Sequence, residues 1–310
     1  MKLLFVTNMY PNESNQTIGS FVREQIESIH RRGIDDEILF INGRESIFNY
    51  IKGLFQVIKK TFKGNYDLIH SHYGLTGLVA RCQWKCPLVV SFHGSDINVP
   101  WQGFLSKFLA KYTNKSIVVS KELNCKLKAK NSIVIPCGVN LTLMKPLPLH
   151  FARKKLNLSV DKKYILFPGD PENQIKRYDV FSEVLNILNK NDLAVEELVF
   201  ESVPHNMISL YYNASDVLVM TSDREGSPVA IKEAMACNLP IVSVDVGDVK
   251  EIIGDTEGCY IAKRDPEDIA KKVELVLKRN KRTNGRDKVK HLSLENIASR
   301  IIDVYKSIQM

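Results

Sequence analysis

The sequence predicts an α/β protein of two domains, each built on a parallel sheet with helices on both faces. Short apolar runs alternate with helical patterns through most of the 310 residues. Residues 140–163 are rich in Pro and Lys, contain no clear strand, and divide the alternation into two series. Strands that alternate with helices pair in parallel, and a chain of this length can hold two domains of ordinary size.

The first series begins with an apolar run at the N-terminus. A helix is expected from Ser20 to Arg32, because Phe21, Val22, Ile26 and Ile29 share one face and Gly33 can end it. The strands expected in this series are residues 2–7, 37–41, 67–70, 88–92, 116–119 and 132–135.

The second series follows the Pro- and Lys-rich stretch. Its expected strands are residues 164–167, 197–200, 216–220, 240–244 and 259–261, with helices at 266–278 and 292–309. We therefore predict Rossmann-like domains over residues 1–145 and 160–290, and a C-terminal helix within 291–310 that packs back towards the N-terminal domain. Such sheets bind ligands at the carboxyl ends of their strands, so a cleft between the domains is the expected site.

Composition narrows the function classes. The chain is 44% apolar, but no apolar run approaches 18 residues, so no membrane-spanning helix is expected. The six cysteines lack a paired metal-site spacing and are expected as reduced thiols in a cytoplasmic protein. Residues 1–150 carry a net charge of +9 and the remainder −1. A basic half suits an acidic ligand or an anionic membrane, and the absence of nucleic-acid-binding motifs argues against a nucleic-acid partner.

Two carboxylates separated by seven residues form the most informative motif. Glu225 is followed by Gly226, Ser227 and Pro228, and Glu233 falls within the helix-like run that begins at Val229. A strand, a tight loop and a helix start form the layout that presents backbone N–H groups to a phosphate. Ser227 is expected as the N-cap, with Pro228 in the first turn. The two carboxylates can then accept hydroxyl groups on either side of that phosphate.

The pattern resembles the E-x7-E signature of retaining GT-B glycosyltransferases of the family 4 type. The resemblance covers nearly the whole chain and rests on several segments in the same order. These are Thr17–Arg23 as a glycine loop, His70–Gly74, Ser91–Asp96, Val118–Glu122, Ile135–Asn140, and the stretch from Ala234 to Asp248. It implies a GT-B fold, in which two Rossmann-like domains face each other across a cleft, the first binding the acceptor and the second the nucleotide-sugar donor.

The resemblance also implies roles for residues. His93 lies at the family's active-site position, Gly19 belongs to the glycine loop, and Glu225 would bind donor-sugar hydroxyls while Glu233 binds the ribose. Lys176 and Arg177 would hold the diphosphate. Gly226, Ser227 and Pro228 would complete the donor site. The protein cations would replace a metal ion, so no metal and no cofactor are expected.

One residue departs from the family pattern. The family pattern often has Arg at the position where this chain has Asp170, and a carboxylate there would repel a diphosphate. Asp170 is therefore expected to point away from the donor.

The expected function is transfer of a sugar to a glycan or lipid-linked acceptor, in bacterial surface-polysaccharide synthesis. The alternatives are a lapsed transferase that serves as a partner subunit, and an inverting GT-B enzyme or epimerase. Residues 49–63 are basic and amphipathic. They suit either contact with the inner face of an anionic membrane or a crossover helix with Ile51, Leu54, Phe55 and Ile58 in the core. The crossover helix is the preferred reading.

Overall fold

The computed structural model describes residues 1–11, 18–200 and 203–309. The chain divides into two compact units. The first unit takes in Met1–Gly138 and Leu294–Met310, and the second Val139–Ser293.

The first unit alternates strands and helices along its first 134 residues. Its elements are β1 Lys2–Thr7, α1 Ser20–His30, β2 Asp35–Phe40, α2 Phe48–Lys63, β3 Leu68–His72, α3 Gly74–Arg81, β4 Leu88–Phe92, α4 Ser95–Asn98, α5 Pro100–Ala110, β5 Lys115–Val118, α6 Lys121–Leu127 and β6 Ser132–Val134.

The second unit repeats the alternation. Its elements are α7 Leu149–Lys155, β7 Lys163–Phe167, α8 Tyr178–Lys190, β8 Val195–Val199, α9 Ile208–Ala214, β9 Val217–Met220, α10 Val229–Ala236, β10 Ile241–Val244, α11 Val249–Ile253, β11 Cys259–Ala262, α12 Pro266–Arg279 and α13 Gly285–Val289, with 3₁₀ turns at Gln174–Lys176, His205–Met207 and Lys290–Leu292. The last helix, α14 at Leu294–Gln309, belongs to the first unit and packs on α1.

Both sheets are parallel. Among the described residues, the first unit forms a six-stranded sheet in the order β2-β1-β3-β4-β5-β6, and the second a five-stranded sheet in the order β11-β10-β9-β7-β8. Strands such as β4 are buried along their whole length, as strands covered on both faces must be. The predicted α/β class with two Rossmann-like domains is confirmed.

Right-handed crossovers place the helices of the first sheet. The chain moves from β1 to β2 in one direction and then crosses back through β3, β4, β5 and β6. Helix α1 therefore lies on one face, where α14 joins it, whereas α2, α3, α5 and α6 lie on the other. A buried cluster that includes Val57, Val79 and Leu109 fills the space under this second layer.

The Pro- and Lys-rich stretch is part of the second unit. It contains α7, and the side chain of Arg153 on this helix is 2% exposed and pairs with Asp216 at 2.7 Å. The Arg153 guanidinium also donates to the carbonyl oxygens of Val160, Lys162 and Ala214. These bonds anchor α7 to the start of β9, and for that reason residues 140–163 fold with the second unit.

Helix α2 buries a different face from the one expected. Gly53, Val57 and Thr61 are buried, whereas Ile51 and Phe55 are exposed. The expectation that both lie in the core is wrong, although Leu54 does pack against it. The small residues Gly53 and Thr61 let the helix lie close to the sheet, which turns the larger side chains outward. None of the described helices combines the length and apolarity that crossing a bilayer requires.

Candidate functional site

The candidate donor site of the second unit lies in the loops that follow neighbouring strands. Strands β7, β9 and β10 are adjacent in the sheet, so the loops at their carboxyl ends lie side by side. The loop after β9 carries Glu225, Gly226, Ser227 and Pro228 and leads into α10. The loop after β7 carries Lys176. Ligands of parallel sheets bind at this edge.

Lys176 and Glu225 meet directly. The Lys176 ammonium donates to Oε1 of Glu225 at 2.7 Å, and the two side chains are 24% and 15% exposed. Thr221 fixes the backbone beside them, since its hydroxyl donates to the carbonyl oxygens of Lys176 and Arg177. The structure thus brings together a cation that can hold a phosphate and a carboxylate that can hold a sugar hydroxyl.

Arg177 is placed differently from Lys176. Its backbone is left-handed, with φ of 54°, and its guanidinium pairs with Asp179 at 2.8 Å and Asp223 at 3.2 Å. These carboxylates raise the pKa of Arg177, and its side chain is 38% exposed. The structure therefore brings Arg177 to two acids and does not bring its guanidinium to Glu225.

Asp170 is exposed, and its side chain contacts the backbone of the loop to which it belongs. Its carboxylate accepts the backbone N–H of Glu172 at 2.9 Å, a local turn contact typical of Asp. The carboxylate therefore has a structural partner within the loop.

A buried ion pair supports the Glu225 loop. Lys232, on α10, has no exposed surface, and its ammonium lies 2.5 Å from the Ser227 hydroxyl and 3.1 Å from Oδ2 of Asp248. The Ser227 hydroxyl also donates to Asp248 Oδ2, at 2.5 Å. The expectation that Ser227 is the N-cap is wrong, because the N-cap residue is Pro228. The buried charges of Lys232 and Asp248 need hydrogen-bond partners, and Ser227 supplies one to each.

The loop after β10 approaches the same segment from the other side. Gly247 has φ of +58°, and a Cβ placed on it would lie 2.8 Å from the carbonyl oxygen of Gly226. Only glycine allows this approach. Gly226 is thus fixed between the two loops, next to the start of α10.

Glu233 lies one turn into α10 and is 8% exposed. Its Oε2 accepts the Tyr212 hydroxyl at 2.7 Å. Burial, together with the neighbouring carboxylate, raises the pKa of Tyr212, so the phenol stays protonated as a donor. Tyr212 on α9 therefore orients the carboxylate for which the family resemblance implies contact with a ribose.

Sequence reasoning missed Lys232, Asp248 and Tyr212. A signal existed for Lys232, since it and Glu233 are the two charged residues in an otherwise apolar helix. Charges on such a helix are buried and require partners. Tyr212 and Asp248 lie outside the motif, on either side of it in the sequence, and only the fold brings them to it.

The first unit holds a group of histidines at the carboxyl ends of β3 and β4. His72 Nδ1 and His93 Nε2 are 3.0 Å apart, and the two rings stack with centroids 5.3 Å apart. His70 bonds to the Tyr305 hydroxyl and to Ser91. His70 and His72 alternate along β3 and therefore share one face of the sheet.

Burial keeps these imidazoles neutral. It lowers the pKa of His93 to about 3 and that of His70 to about 3 as well. Among the described residues, Nδ1 of His93 and Nε2 of His72 are buried and have no hydrogen-bond partner. A buried nitrogen without a partner is costly, and a neutral imidazole can use it to bond a hydroxyl group.

Asp96 fixes the loop that carries His93. Its buried carboxylate accepts the backbone N–H groups of His93 at 3.1 Å and Gly94 at 2.8 Å. Burial raises the pKa of Asp96 to about 6 despite these bonds. The sequence motif contains Asp96, but its positioning role becomes visible only in the structure.

Gly19 is the N-cap of α1 and has φ of +72°. A Cβ there would lie 2.3 Å from the backbone of Met9, so no other residue fits. Phe21, two residues on, contacts the His93 ring with a centroid distance of 5.2 Å. The start of α1 therefore lies beside His93, whereas the expected loop residue Thr17 falls outside the described residues.

Over residues 1–11, 18–200 and 203–309, no group of three or more His, Cys, Asp or Glu side chains is arranged to hold a metal ion.

Comparison with known proteins agrees with this architecture. The profile described as "Glycosyltransferase Family 4" matches residues 7–143, and that described as "Glycosyl transferases group 1" matches residues 196–290. Together they cover well over half of the chain.

Relatives of known name are distant in sequence. The putative teichuronic acid biosynthesis glycosyltransferase TuaC of Bacillus subtilis is 22% identical, with 88% of each chain aligned. A D-inositol 3-phosphate glycosyltransferase of Geodermatophilus obscurus is 23% identical over 70% of this chain, and the match spans 60% of that relative.

Solved structures share the fold over their whole length. The sucrose-phosphate synthase of Thermosynechococcus elongatus superposes with a TM-score of 0.84 at 18% identity, covering 100% of this chain and 99% of that one. Anabaena Alr3699/HepE, in complex with UDP and glucose, gives 0.75 at 16% identity, covering 99% of this chain and 100% of that one.

Two Rossmann-like units, with a Glu-x7-Glu loop at the strand ends of the second, define a glycosyltransferase of the GT-B fold. The chain belongs to the glycosyltransferases of the family 4 type, whose two family profiles it matches in order along its length.

Proposed function

We propose that this glycosyltransferase moves a sugar from a nucleoside-diphosphate sugar to a hydroxyl group of a glycan or lipid-linked acceptor, with retention of anomeric configuration. The observation that carries the proposal is the contact between Lys176 and Glu225 at the strand ends of the second unit, beside the start of α10. At that place the cation can bind the diphosphate of a donor, and the adjacent carboxylate can bind hydroxyl groups of the sugar attached to it.

The second unit would bind the donor. The Lys176 ammonium and the N–H groups at the start of α10 would hold the diphosphate, with Gly226, Ser227 and Pro228 forming the wall beside it. Glu225 would accept donor-sugar hydroxyls, and Glu233, oriented by Tyr212, would accept the ribose hydroxyls.

The structure supports diphosphate binding by Arg177 less strongly than by Lys176. To reach it, the guanidinium would have to leave Asp179 and Asp223. We therefore assign Lys176 as the principal side-chain cation and keep Arg177 as a second donor-site cation.

Retention is proposed from the family resemblance, through a reaction on one face of the sugar. The bond between the anomeric carbon and the diphosphate oxygen breaks, and the acceptor oxygen attacks from the same face. The acceptor proton passes to the departing diphosphate oxygen. Lys176 and the α10 dipole would stabilise the charge that develops there. His93, being neutral, would contribute a hydrogen bond to the sugar, and Gly19 would keep the start of α1 in place.

The protein cations would perform the role that a divalent ion performs in other transferases, so we propose that the reaction needs no metal and no cofactor. The setting is inferred from relatives: TuaC is named for teichuronic acid synthesis, and HepE binds UDP and glucose. A surface polysaccharide pathway and a uridine-linked hexose are the first candidates to test.

The test is donor hydrolysis and transfer over a panel of UDP- and GDP-sugars in the presence of EDTA. We expect turnover by the wild type, loss of about 100-fold or more in Glu225→Gln and Lys176→Met, and a retained product anomer by NMR. Lys271→Met, on the surface of the second unit, is the matched control. An inverted anomer would refute the mechanism, and restoration of activity only by added Mg²⁺ would refute metal independence.

A lapsed transferase is the second candidate, favoured by Asp170 at a position where the family pattern often has Arg, and by the pairing of Arg177 with acids. Such a protein would bind nucleotide yet turn over no donor. Calorimetric binding of UDP without turnover of any donor in the panel would support this reading over the first.

A further inference from the structure

We propose that the outer face of the helices α2 and α5 docks on an anionic lipid bilayer through aromatic side chains set among lysines. The surface, called here the aromatic face, consists of Phe48, Ile51, Phe55, Phe62, Trp84, Trp101, Phe104, Phe108 and Tyr112. It lies wholly in the first unit and is separate from the donor loops. It rests on the proposed function in one respect, since a lipid-linked acceptor would be met there.

Two helices present their apolar stripes to solvent. On α2, Phe48, Ile51 and Phe55 recur at helical spacing, and Phe55 is 66% exposed. On α5, Trp101, Phe104 and Phe108 recur in the same way, and Phe104 is 74% exposed. Single exposed apolar residues are ordinary, but two parallel stripes are not.

The two stripes belong to one layer. Both α2 and α5 pack on α3, which lies between them on the same face of the sheet. Trp84, which follows α3, is 78% exposed and joins the stripes at one end. Its ring contacts Phe62 of α2 with centroids 6.3 Å apart, and it lines the same surface depression as Tyr112 at the end of α5.

The charge around the aromatic face indicates which kind of partner can cover it. Residues 46–120 contain nine Lys and Arg but only two acids, Asp67 and Asp96, and Asp96 is buried. Exposed lysines stand beside the aromatic residues at positions 52, 59, 63, 107 and 111. Within the described residues, none of these five lysines has a carboxylate within ion-pair distance, unlike Lys60, which pairs with Glu37.

A second copy of the chain fits this charge poorly. Pairing the same face of two copies would bring ten like-charged lysines together, because a two-fold interface uses the same patch twice. An anionic bilayer neutralises them instead. Tryptophan, tyrosine and lysine are also the residues that favour the headgroup region, where their apolar bodies enter and their polar ends stay wet.

Tryptophan fluorescence can report contact between the aromatic face and lipid. Its two tryptophans are Trp84 and Trp101, and both lie on the aromatic face. We expect their emission to shift to shorter wavelength on addition of vesicles of 30% phosphatidylglycerol in phosphatidylcholine. Brominated acyl chains should quench this emission. Pure phosphatidylcholine vesicles should bind the protein far more weakly.

Two sets of variants separate the charge from the apolar contact. In flotation, the affinity of the triple variant Lys59→Glu, Lys63→Glu, Lys107→Glu for the anionic vesicles should fall by on the order of 100-fold. Each lysine near an anionic surface contributes roughly fivefold to this affinity. Its control is Lys154→Glu, Lys250→Glu, Lys271→Glu in the second unit, which changes the net charge equally and should leave binding within about threefold.

The aromatic contact is tested with Phe55→Ser, Trp101→Ser, Phe104→Ser, against Phe151→Ser as an exposed aromatic control in the second unit. The triple Ser variant should fold as the wild type does and lose vesicle binding. Full binding by either triple variant would overturn the proposal. So would equal binding to neutral vesicles.

One further result would also overturn the proposal. If the wild type does not bind vesicles but forms a dimer without lipid, and the triple Ser variant does not form that dimer, the aromatic face pairs two copies of the chain. Vesicle binding is measured without donor or acceptor. Its failure therefore leaves the transferase proposal standing, and a failure of donor turnover leaves this one standing.

Discussion

Replacement of Lys232 by Met tests whether the buried ion pair under the Glu225 loop holds the donor site in shape. Lys232 is fully buried and Asp248 is 5% exposed, and their charged groups are 3.1 Å apart. Methionine has a similar length and removes the charge. The Asp248 carboxylate would then be buried without a countercharge, with the Ser227 hydroxyl still donating to its Oδ2.

The expected cost follows from that unpaired charge. Removing one partner of a buried ion pair destabilises a protein by about 3–5 kcal/mol, because the remaining charge keeps its desolvation penalty. Asp248→Asn in the same background removes the stranded charge. The double variant Lys232→Met, Asp248→Asn should therefore recover about 2 kcal/mol of what Lys232→Met loses.

The assay is urea unfolding followed by far-ultraviolet circular dichroism, with tryptophan emission recorded in parallel. Since both tryptophans lie in the first unit, a transition seen by dichroism alone reports the second unit. Lys271→Met is the matched surface control and should stay within about 0.5 kcal/mol of the wild type.

The same variants carry a functional readout. If the pair positions the loop, Lys232→Met should raise the KM for donor more than it lowers kcat, and the double variant should restore part of the KM. A Lys232→Met protein as stable as the control would refute the reasoning. A double variant less stable than Lys232→Met alone would refute it as well.

Three further predictions concern the rest of the molecule. Between pH 6.5 and about 3, His70 and His93 bind protons in the unfolded chain but stay neutral in the folded one, so the stability of the first unit rises with pH over that range. At pH 5, each of the two histidines should lower the free energy of unfolding by about 2 kcal/mol relative to neutral pH. The raised pKa of Asp96 acts in the opposite sense, offsetting part of this loss, and a tryptophan-detected urea midpoint that does not change between pH 5 and pH 7.5 would contradict the assignment. Gly19→Ala should destabilise the start of α1 by at least 1 kcal/mol, since its Cβ meets the Met9 backbone, and differential scanning calorimetry showing no change would argue against that contact. Lys176→Met should weaken UDP binding by about tenfold or more in calorimetry, whereas unchanged affinity would remove Lys176 from the donor site.

The sequence by itself determined the class of fold and most of its elements. Apolar runs such as β4 at Leu88–Phe92 coincide with the predicted strand, and the helix starting at Ser20 begins where Gly19 permits a left-handed turn. These features depend on neighbours in the chain, so local patterns reveal them. The Glu-x7-Glu motif likewise placed the candidate site at the strand ends of the second unit.

Other outcomes depended on contacts between distant residues. Helix α2 has apolar residues on more than one face, and periodicity could not tell that Gly53, Val57 and Thr61 would be the buried ones. The core assignment of Phe55 was wrong because close packing on the sheet selects small residues.

The candidate site shows the same division. The sequence supplied Lys176, Glu225 and Glu233, but the ammonium of Lys176 reaches Glu225 only because β7 and β9 are neighbours in the sheet. Tyr212 and Asp248 join the site from elements that lie before and after the motif in the chain. Sequence pattern determines which residues are apolar or charged locally, whereas partners for buried charges are decided by the tertiary fold, since a buried charge is stable only where the packed chain brings a partner to it.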